Sequence, residues 1–543
     1  MSSRGSFLGS AKIIALWTLL SRVTGLIRDM RLNAVLGQTW VQDAFNFGFL
    51  IPNLFRRLFG EGALSAVFVP MFTDTLHREG RPAAWALLGK TVARMLAVLI
   101  ALTLAVELVL LAIWFAQPEE SKHRLVVSLT AIMLPFMISI CVVAVLSSIL
   151  NCLGRFSLPA AMPIVLNVCM IAVLVTQSSV LSPQSCTYVL AASVLVAGVL
   201  QLIVIWPALR AEGVRMPLDL RSHDPAIRAM LVALLPVMFG QGVLLVNSFL
   251  DGWICTLLTR GPNQESNGTF LGWSFTYPLE QGAYSAINNA QRLYQFPLGV
   301  LAISLATAAL PAFSRSATAG DIDGLRGGLA RALRLAIFEG LPCGLMLVVL
   351  AEPIIQLLFE YGHYTHDHTL RAAHVLRGYG VGVFAFSAQH VIMRGFYSLK
   401  DTMTPMRVGV WLVGLNLLLS ATLLWHPGIR EAAFGISTSL TAILNIGISL
   451  WLLRRKLAER IEGRQIAAGL LRTLIAALAA TAVAWLLRDP AAHWAADLPR
   501  IPRRLAEVFL PLSAAAVVYL LAAAALRMEE LGWLLPRRRG RIA

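Results

Sequence analysis

Two neighbouring apolar stretches carry charges that a lipid-facing helix would not. Within SRVTGLIRDMRLNAVLGQTWVQDAFNFGFLIPNLFRRLFGEGALSAVFVP (residues 21–70), the first holds Arg22, Arg28, Asp29 and Arg31. The second holds Asp43, Arg56, Arg57 and Glu61. An arginine at the centre of a membrane helix costs about 2.5–3.5 kcal/mol on insertion scales. Such residues persist where they face a bundle interior, pair with each other or line a wet cavity. Several cations on adjacent helices, with fewer acids to neutralise them, predict a cavity built for an anion. Read the other way, the same charges are helix-end snorkels or a mutually neutralised structural cluster.

The elements that must position these residues are broken helices. Pro52 sits inside the second stretch, and Gly60 and Gly62 flank Glu61. A straight helix from Asp43 to Thr73 would run about 45 Å, longer than a hydrocarbon core of about 30 Å. A kinked or tilted helix is therefore expected, and broken backbone at membrane depth is tolerated where it lines a cavity. Asn53, Arg57 and Glu61, four residues apart, are expected on one helix face. Arg22 and Asp29, seven apart, share another.

Composition gives the class. The 543 residues are 57% hydrophobic and 14% charged, with mean hydropathy +0.71. That describes an all-α polytopic membrane protein, not a set of soluble domains. About fourteen membrane helices are expected, spanning roughly 8–35, 42–72, 87–115, 125–151, 159–177, 187–209, 229–257, 272–310, 333–351, 372–398, 406–425, 431–453, 467–487 and 506–526. The net charge of +16 lies mostly in loops, so it reads as membrane topology, with no nucleic acid implied. Basic residues alternate from loop to loop and place both termini in the cytoplasm. The loop 488–504 breaks the pattern, with Arg488, Arg500, Arg503 and Arg504 on the expected outside. Either the rule fails there or a helix boundary is misplaced. The six cysteines lie in or beside apolar segments and form no disulfide framework. The first apolar run is long and carries Arg22 and Arg28, so no cleavable signal peptide is expected.

An internal repeat sets the domain plan. LNCLGRFSLP at 150–159 lies on FYSLKDTMTP at 396–405, and IPN around Pro52 lies on QFP around Pro297 at nearly the same offset. Two pseudo-symmetric six-helix lobes are expected, at 1–210 and 225–455, followed by two helices at 465–527 and a basic cytoplasmic tail at 528–543. Matching Pro-broken segments in two related halves predict a binding site between the halves. The connection 258–282 is longer than its counterpart in the first half.

SRVTGLIRD at 21–29, DAF at 43–45 and IPNLFRRLFGEGALSAVFVP at 51–70 closely resemble the signature of the MurJ (MviN) family. These are the lipid II flippases of bacterial cell-wall synthesis, within the multidrug/oligosaccharidyl-lipid/polysaccharide exporter superfamily. The resemblance continues more thinly to about residue 526. It implies a transporter and not an enzyme, flipping lipid II, the polyprenyl-pyrophosphate-linked peptidoglycan precursor, from the cytoplasmic to the outer leaflet of the inner membrane. Alternating access through a basic central cavity is implied, with Arg22, Arg28, Arg56 and Arg292 on the pyrophosphate. Asp29, Asp43, Arg57 and Glu61 are implied as counter-ions or gate pairs, and helices thirteen and fourteen as a groove for the lipid tail. The partners implied are lipid II and membrane lipids, for a monomer working with cell-wall synthesis enzymes.

Two departures from the family pattern bear on the site. Arg292, in NNAQRLYQFP, resembles the second-half cavity arginine, but the acid more often found before it is Gln291 here. Arg292 is then more available to an anion, or else it is a structural partner of Glu280 or Glu61. Asp251 in NSFLDGW, with Asn416 and Thr438, resembles a sodium site of some members, but Ser420 stands where a second acid is expected. A Na+ site there would be weak, and Asp251 reads equally as a buried, hydrogen-bonded acid.

Other motifs point away from chemistry. LLGKT at 87–91 lacks the Gly five residues before Gly89 that a phosphate loop needs, and reads as the basic start of a helix. His363, His366, His368 and His374 are expected in a solvated outer turn; their spacing could reach a metal, but no Cys or Glu-x-x-His context supports one. No nucleophile motif is recognisable. The alternatives to a lipid II flippase are an exporter of another polyprenyl-linked glycan or a drug, and a membrane-embedded glycan polymerase. A drug exporter would favour acids in its cavity, and a polymerase would need a catalytic carboxylate on an outer loop.

Overall fold

The structure, a computed structural model, describes residues 3–58, 64–119, 121–220, 225–262, 267–270, 273–457 and 463–534. Helix α1 (Ser3–Leu36) is followed by α2 (Trp40–Phe55), a π-helical turn at 56–58, α3 (Leu64–Arg78) and α4 (Arg81–Ala116). Next come α5 (Lys122–Met133), α6 (Phe136–Cys152), α7 (Ser157–Thr176), α8 (Pro183–Ala211) and α9 (Pro225–Leu258). An antiparallel hairpin, β1 (Asn267–Phe270) and β2 (Trp273–Thr276), precedes α10 (Ala283–Pro297), a π turn at Leu298–Ala302 and α11 (Ile303–Thr318). The chain continues through α12 (Ile322–Val349), α13 (Ala351–Phe359), α14 (His366–Gly380), α15 (Val383–Ser398), α16 (Met403–Leu423) and α17 (Ala432–Lys456). It ends with α18 (Gly463–Trp494), α19 (Arg500–Ala525) and the short α20 (Glu529–Leu534).

Among the described residues, ten helical spans are long and apolar enough to cross a membrane, counting α5 with α6 and α10 with α11. The chain is an all-α, multi-pass membrane protein. The helices that fall on the other expected spans include α1, α2 and α14–α15, which carry many of the polar and charged groups described below.

Contacts divide the chain into two units, Met1–Ser285 with Tyr361–Tyr364, and Ala286–Glu360 with Thr365–Ala543. The first unit thus takes in α9 and the hairpin, which lie within the span expected for the second lobe. The packing gives the reason: α9 lies on α2, α3 and α4, and Lys122 of α5 donates to the carbonyls of Thr256 and Thr259 at the end of α9. The core of this unit is built on Phe45, Phe68, Phe72, Leu88, Met133 and Phe136, all essentially buried. In the second unit, one cluster joins α11, α12, α15 and α17, and another packs Phe338, Leu341 and Met346 of α12 against an alanine-rich face of α18 and α19. Small residues let helix backbones approach closely where apolar burial gives no driving force.

The repeat is visible in the backbone. α6 and α15 end on the same Schellman motif. Arg155 N donates to Leu150 O at 2.8 Å and Gly154 N to Asn151 O at 3.1 Å; Asp401 N donates to Phe396 O and Lys400 N to Tyr397 O, both at 3.0 Å. The left-handed residue is Gly154 in the first copy (φ 79°) and Lys400 in the second (φ 58°). Helices α5–α6 and α14–α15 are broken at corresponding places, by Pro135 and by Gly382. A π turn follows Pro52 in one half and Pro297 in the other.

Several boundaries differ from expectation. The segment expected to open a helix at 272 instead forms β2 and a turn, because alternating Thr269, Trp273 and Phe275 favour a hairpin. α19 begins at Arg500 and α18 runs to Trp494, so Arg488, Arg500, Arg503 and Arg504 lie on helix ends, not in a loop. Three of them are ion-paired, Arg488 with Glu352 at 2.5 Å, Arg504 with Glu360 at 2.6 Å and Arg503 with Glu507 at 2.8 Å, and Arg500 donates to Glu360 O at 2.7 Å. LLGKT lies inside α4, whose start is Arg81. Of the four histidines, only His363 precedes α14; the others are helical, and His368 completes a capping box with Thr365. Helix formation, not a solvated turn, explains their spacing. Among the described residues no group of three or more His, Cys, Asp or Glu could hold a metal.

Candidate functional site

Arg28 of α1 is held from two sides, by its neighbour Asp29 and by a residue of α7. Arg28 is buried, and its Nε and Nη2 donate to Asp29 Oδ1 at 2.9 and 2.6 Å. Its Nη1 donates to Asn167 Oδ1 of α7 at 3.0 Å. Asn167 in turn donates through Nδ2 to Thr24 Oγ1 at 3.2 Å and to Ser21 O at 3.3 Å. One buried amide therefore fixes Arg28 and the preceding turn of α1 together. Arg22, one and a half turns earlier, is exposed. Asp29 pairs with its neighbour Arg28.

On the second stretch, α2 gives way to the π turn at Arg56. The wider winding shifts every later side chain around the axis. Asn53 Oδ1 accepts from Arg56 Nε at 3.2 Å. Arg56 is half-buried and Arg57 exposed. Glu61, Gly60 and Gly62 lie outside the described residues.

Asp43 has a role that its place in DAF does not disclose. It is buried near the start of α2, and its Oδ1 accepts from Ser285 N at 2.7 Å and Ser285 Oγ at 2.6 Å. Its Oδ2 accepts from Gly282 N at 2.8 Å. These are orphan donors at the N-terminus of α10, where a negative charge also complements the helix dipole. Gly282 is required there: its φ is +83°, and a Cβ would come within 2.3 Å of Gln38 O. Gln38 also donates to Tyr364 Oη at 2.7 Å, and His363 N donates to Ala34 O at 2.8 Å. The end of α1 and the start of α2 are thus tied to the segment 361–364 and to the start of α10.

In the second unit, Arg292 is exposed on α10, five residues before Pro297. Its neighbour Gln291 donates to Tyr379 Oη at 3.0 Å, and Tyr294 stacks on Tyr379 with centroids 4.6 Å apart. The glutamine that replaces the expected acid thus anchors α10 to α14 through a neutral bond.

The residues considered for sodium divide between the units. Asp251 is buried in the first and accepts from Asn247 Nδ2 at 3.2 Å. Asn416 and Thr438 meet in the second, where Thr438 Oγ1 donates to Asn416 Oδ1 at 3.5 Å. Ser420 and Ser437, both fully buried, share a hydrogen bond of 2.6 Å beside them.

These arrangements invite comparison with known proteins. The profile of the family described as lipid II flippase MurJ matches residues 32–497. The chain belongs to the MurJ lipid II flippase family. A relative from Rhizobium meliloti (strain 1021), named "Probable lipid II flippase MurJ", is 33% identical over 430 residues, 78% of this chain and 75% of that protein. "Lipid II flippase MurJ" of Burkholderia cenocepacia is 31% identical over 439 residues, covering 79% of this chain and 80% of its own. Among solved structures, a lipid II flippase MurJ in an inward closed conformation matches with TM-score 0.73 at 20% identity, over 95% of this chain and 99% of its own. An inward-facing multidrug transporter of the MATE family, in the MOP superfamily, matches with TM-score 0.63 at 12% identity, over 82% and 98%. Membership of the family thus extends through the broken helices and both copies of the repeat, and the fold is shared with MATE transporters.

Proposed function

We propose that the chain is a transporter that moves lipid II from the cytoplasmic to the outer leaflet of a bacterial inner membrane by alternating access, with both termini cytoplasmic. The observation that carries this reading is family membership across residues 32–497. Arg22, Arg28 and Arg56 of the first unit and Arg292 of the second are the guanidiniums we assign to the pyrophosphate, because their forked donors match phosphate oxygens. Asn167 holds Arg28 in its rotamer. Asp29 moderates the charge of Arg28, and Asp43 is assigned to a gate whose closed form is its cap on α10. Arg57 and Glu61 remain assigned as counter-ions of this set. Helices α18 and α19 are assigned to the polyprenyl tail.

The transmembrane potential supplies the drive in this account. Lipid II carries negative charge at its pyrophosphate, and moving one such charge outward with the interior negative releases about 2.3 kcal/mol per 100 mV. Empty arginines are drawn inward by the same field. A sodium ion at Asp251, Asn416 and Thr438 is the competing drive. Collapsing the potential while keeping the sodium gradient is expected to stop outward flipping; flipping that persists and stops only on sodium removal would shift the assignment to the ion.

The functional reading is tested by complementation. In a strain depleted of its own lipid II flippase, this chain is expected to restore growth and outer-leaflet lipid II. Failure to do so with the protein present in the membrane, or export of a different polyprenyl-linked glycan, would overturn it.

A further inference from the structure

Glu339 is a carboxyl that the proposed transport cycle does not use. It lies within α12, one of the ten apolar spans, with about 26 Å of helix before it and about 15 Å after it. The residue is half-buried, yet its Oε2 is shut off from solvent and has no hydrogen-bond partner among the described residues. No ion pair to it is present among the described residues either.

Among the described residues no cation pairs with it. Beside Glu339 in the sequence, Phe338 and Leu341 of α12 pack against Ala476, Ala480 and Ala515 of α18 and α19. From α15, the residues against the next position, Gly340, are Phe384 and Ser387. Two ionisable groups lie near, Cys343 one turn on and Tyr519 of α19, and neither is cationic at neutral pH. The Tyr519 hydroxyl is committed to Phe338 O at 2.6 Å. The nearest arginine along α12, Arg334, is taken by α20: its Nε pairs with Glu530 at 2.7 Å and its Nη1 with Glu529 at 3.1 Å. Its guanidinium also lies over the Trp533 ring at 5.1 Å.

A carboxylate with one oxygen buried in an apolar span, without a cation or a donor on that oxygen, is disfavoured, and the group neutralises instead. A protonated acid needs a partner for only one donor and leaves a weakly polar oxygen that an apolar wall tolerates. We propose that Glu339 is a proton-binding site, occupied in this conformation, whose deprotonation disrupts the packing of α18 and α19 on α12 and so slows transport. The second half of that statement rests on the proposed flippase function; the first does not. The ligand is the proton, taken up and released without any covalent change other than at the carboxyl.

Two measurements separate the parts. Infrared spectra of the full chain in lipid nanodiscs, wild type minus Glu339→Gln, are expected to show the carbonyl stretch of a protonated carboxylic acid at neutral pH, fading as pH rises. A difference spectrum with only carboxylate bands at neutral pH would overturn the site, whatever the chain transports. Flipping of lipid II in proteoliposomes, at fixed potential, is then expected to fall several-fold on the alkaline side for wild type. Glu339→Gln, the isostere of the neutral acid, is expected to keep the neutral-pH rate and lose that decline. A Glu339→Gln profile that keeps the wild-type decline would overturn the link to transport, while a chain that flips no lipid II at any pH would count against the flippase reading and leave the infrared result standing. Should Glu339→Gln fail to fold, Glu339→Asp takes its place in both measurements, with an infrared band shifted in position as the expected result and an unchanged spectrum as the contrary one.

Discussion

The two copies of the Pro-broken helix repeat a backbone but not a chemistry. Both start after a left-handed glycine, Gly37 at φ 65° and Gly282 at φ 83°, and both reach a proline followed by a π turn. The first copy caps itself, with Thr39 accepting from Gln42 N at 3.4 Å. The second has Tyr284 at the corresponding place and is capped by Asp43, more than two hundred residues earlier in the chain. The arginines also move: Arg56 and Arg57 fall in the first π turn, whereas Arg292 precedes the second proline and the turn LGVLA is apolar. The two copies share the place where the helix breaks and differ in their charges and in their caps. A local cap holds a helix end within its own segment, while a cap borrowed from a distant element ties two helices together.

The largest expected effect tests whether the unequal arginines serve one anion. Arg56→Ala and Arg292→Ala are each expected to cut outward flipping at least about tenfold, about 1.4 kcal/mol of lost anion contact, while membrane levels stay unchanged. Lysine at either position should restore only part, since a point charge loses the forked geometry. A loss at one position alone would break the assignment of both halves to one ligand.

The caps come next. Asp43→Ala leaves buried N–H donors of α10 without an acceptor and is expected to cost about 3 kcal/mol, against about 1 kcal/mol for Thr39→Ala. Thermal unfolding in detergent reads both, and equal losses would remove the contrast between a borrowed and a local cap. Asn167→Ala removes the acceptor of Arg28 Nη1 and leaves its pair with Asp29, and is expected to fall between them, at about 2 kcal/mol.

The smallest effects lie at the repeated Schellman motifs. Gly154→Ala places a Cβ in the left-handed region at a cost of about 1 kcal/mol, and Lys400→Gly relieves a similar strain by somewhat less. Opposite signs in thermal unfolding are expected; matching signs would mean the two loops are not equivalent. Beside Lys400, burial raises the Asp401 carboxyl, but hydrogen bonds from Lys456 and Thr404 outweigh it and hold the group at about 2. A pKa depressed in the folded state stabilises above the ordinary carboxylate range and is lost as pH falls toward about 2. Asp401→Asn should therefore destabilise at neutral pH and flatten the loss on acidification between about pH 4 and pH 2.

Much of this architecture was legible in the sequence, because helix breaks and caps are local. Pro52 and Pro297 marked their own turns, and LNCLGRFSLP against FYSLKDTMTP marked the repeat. The hairpin at 267–276 was also signalled, by its alternating aromatics, but a long apolar run beyond it drew the helix too far forward. What was not legible is long-range. Asn167 carries no local mark of its bond to Arg28 across 139 residues, and nothing around Asp43 says that its partners are Gly282 and Ser285. The π turn at Arg56 was not legible either, since the spacing of residues cannot report a change of winding.

On the proposed mechanism, Arg28 and Arg56 of the signature stretch, buried and half-buried, carry a pyrophosphate-linked lipid outward. The most direct measurement adds a membrane-impermeant lipid II hydrolase outside cells depleted of their own flippase and carrying this chain. Wild type is expected to expose lipid II to cleavage, and Arg28→Ala, with the protein at normal level in the membrane, to leave it protected inside. Cleavage in the Arg28→Ala strain at the wild-type rate would contradict the account.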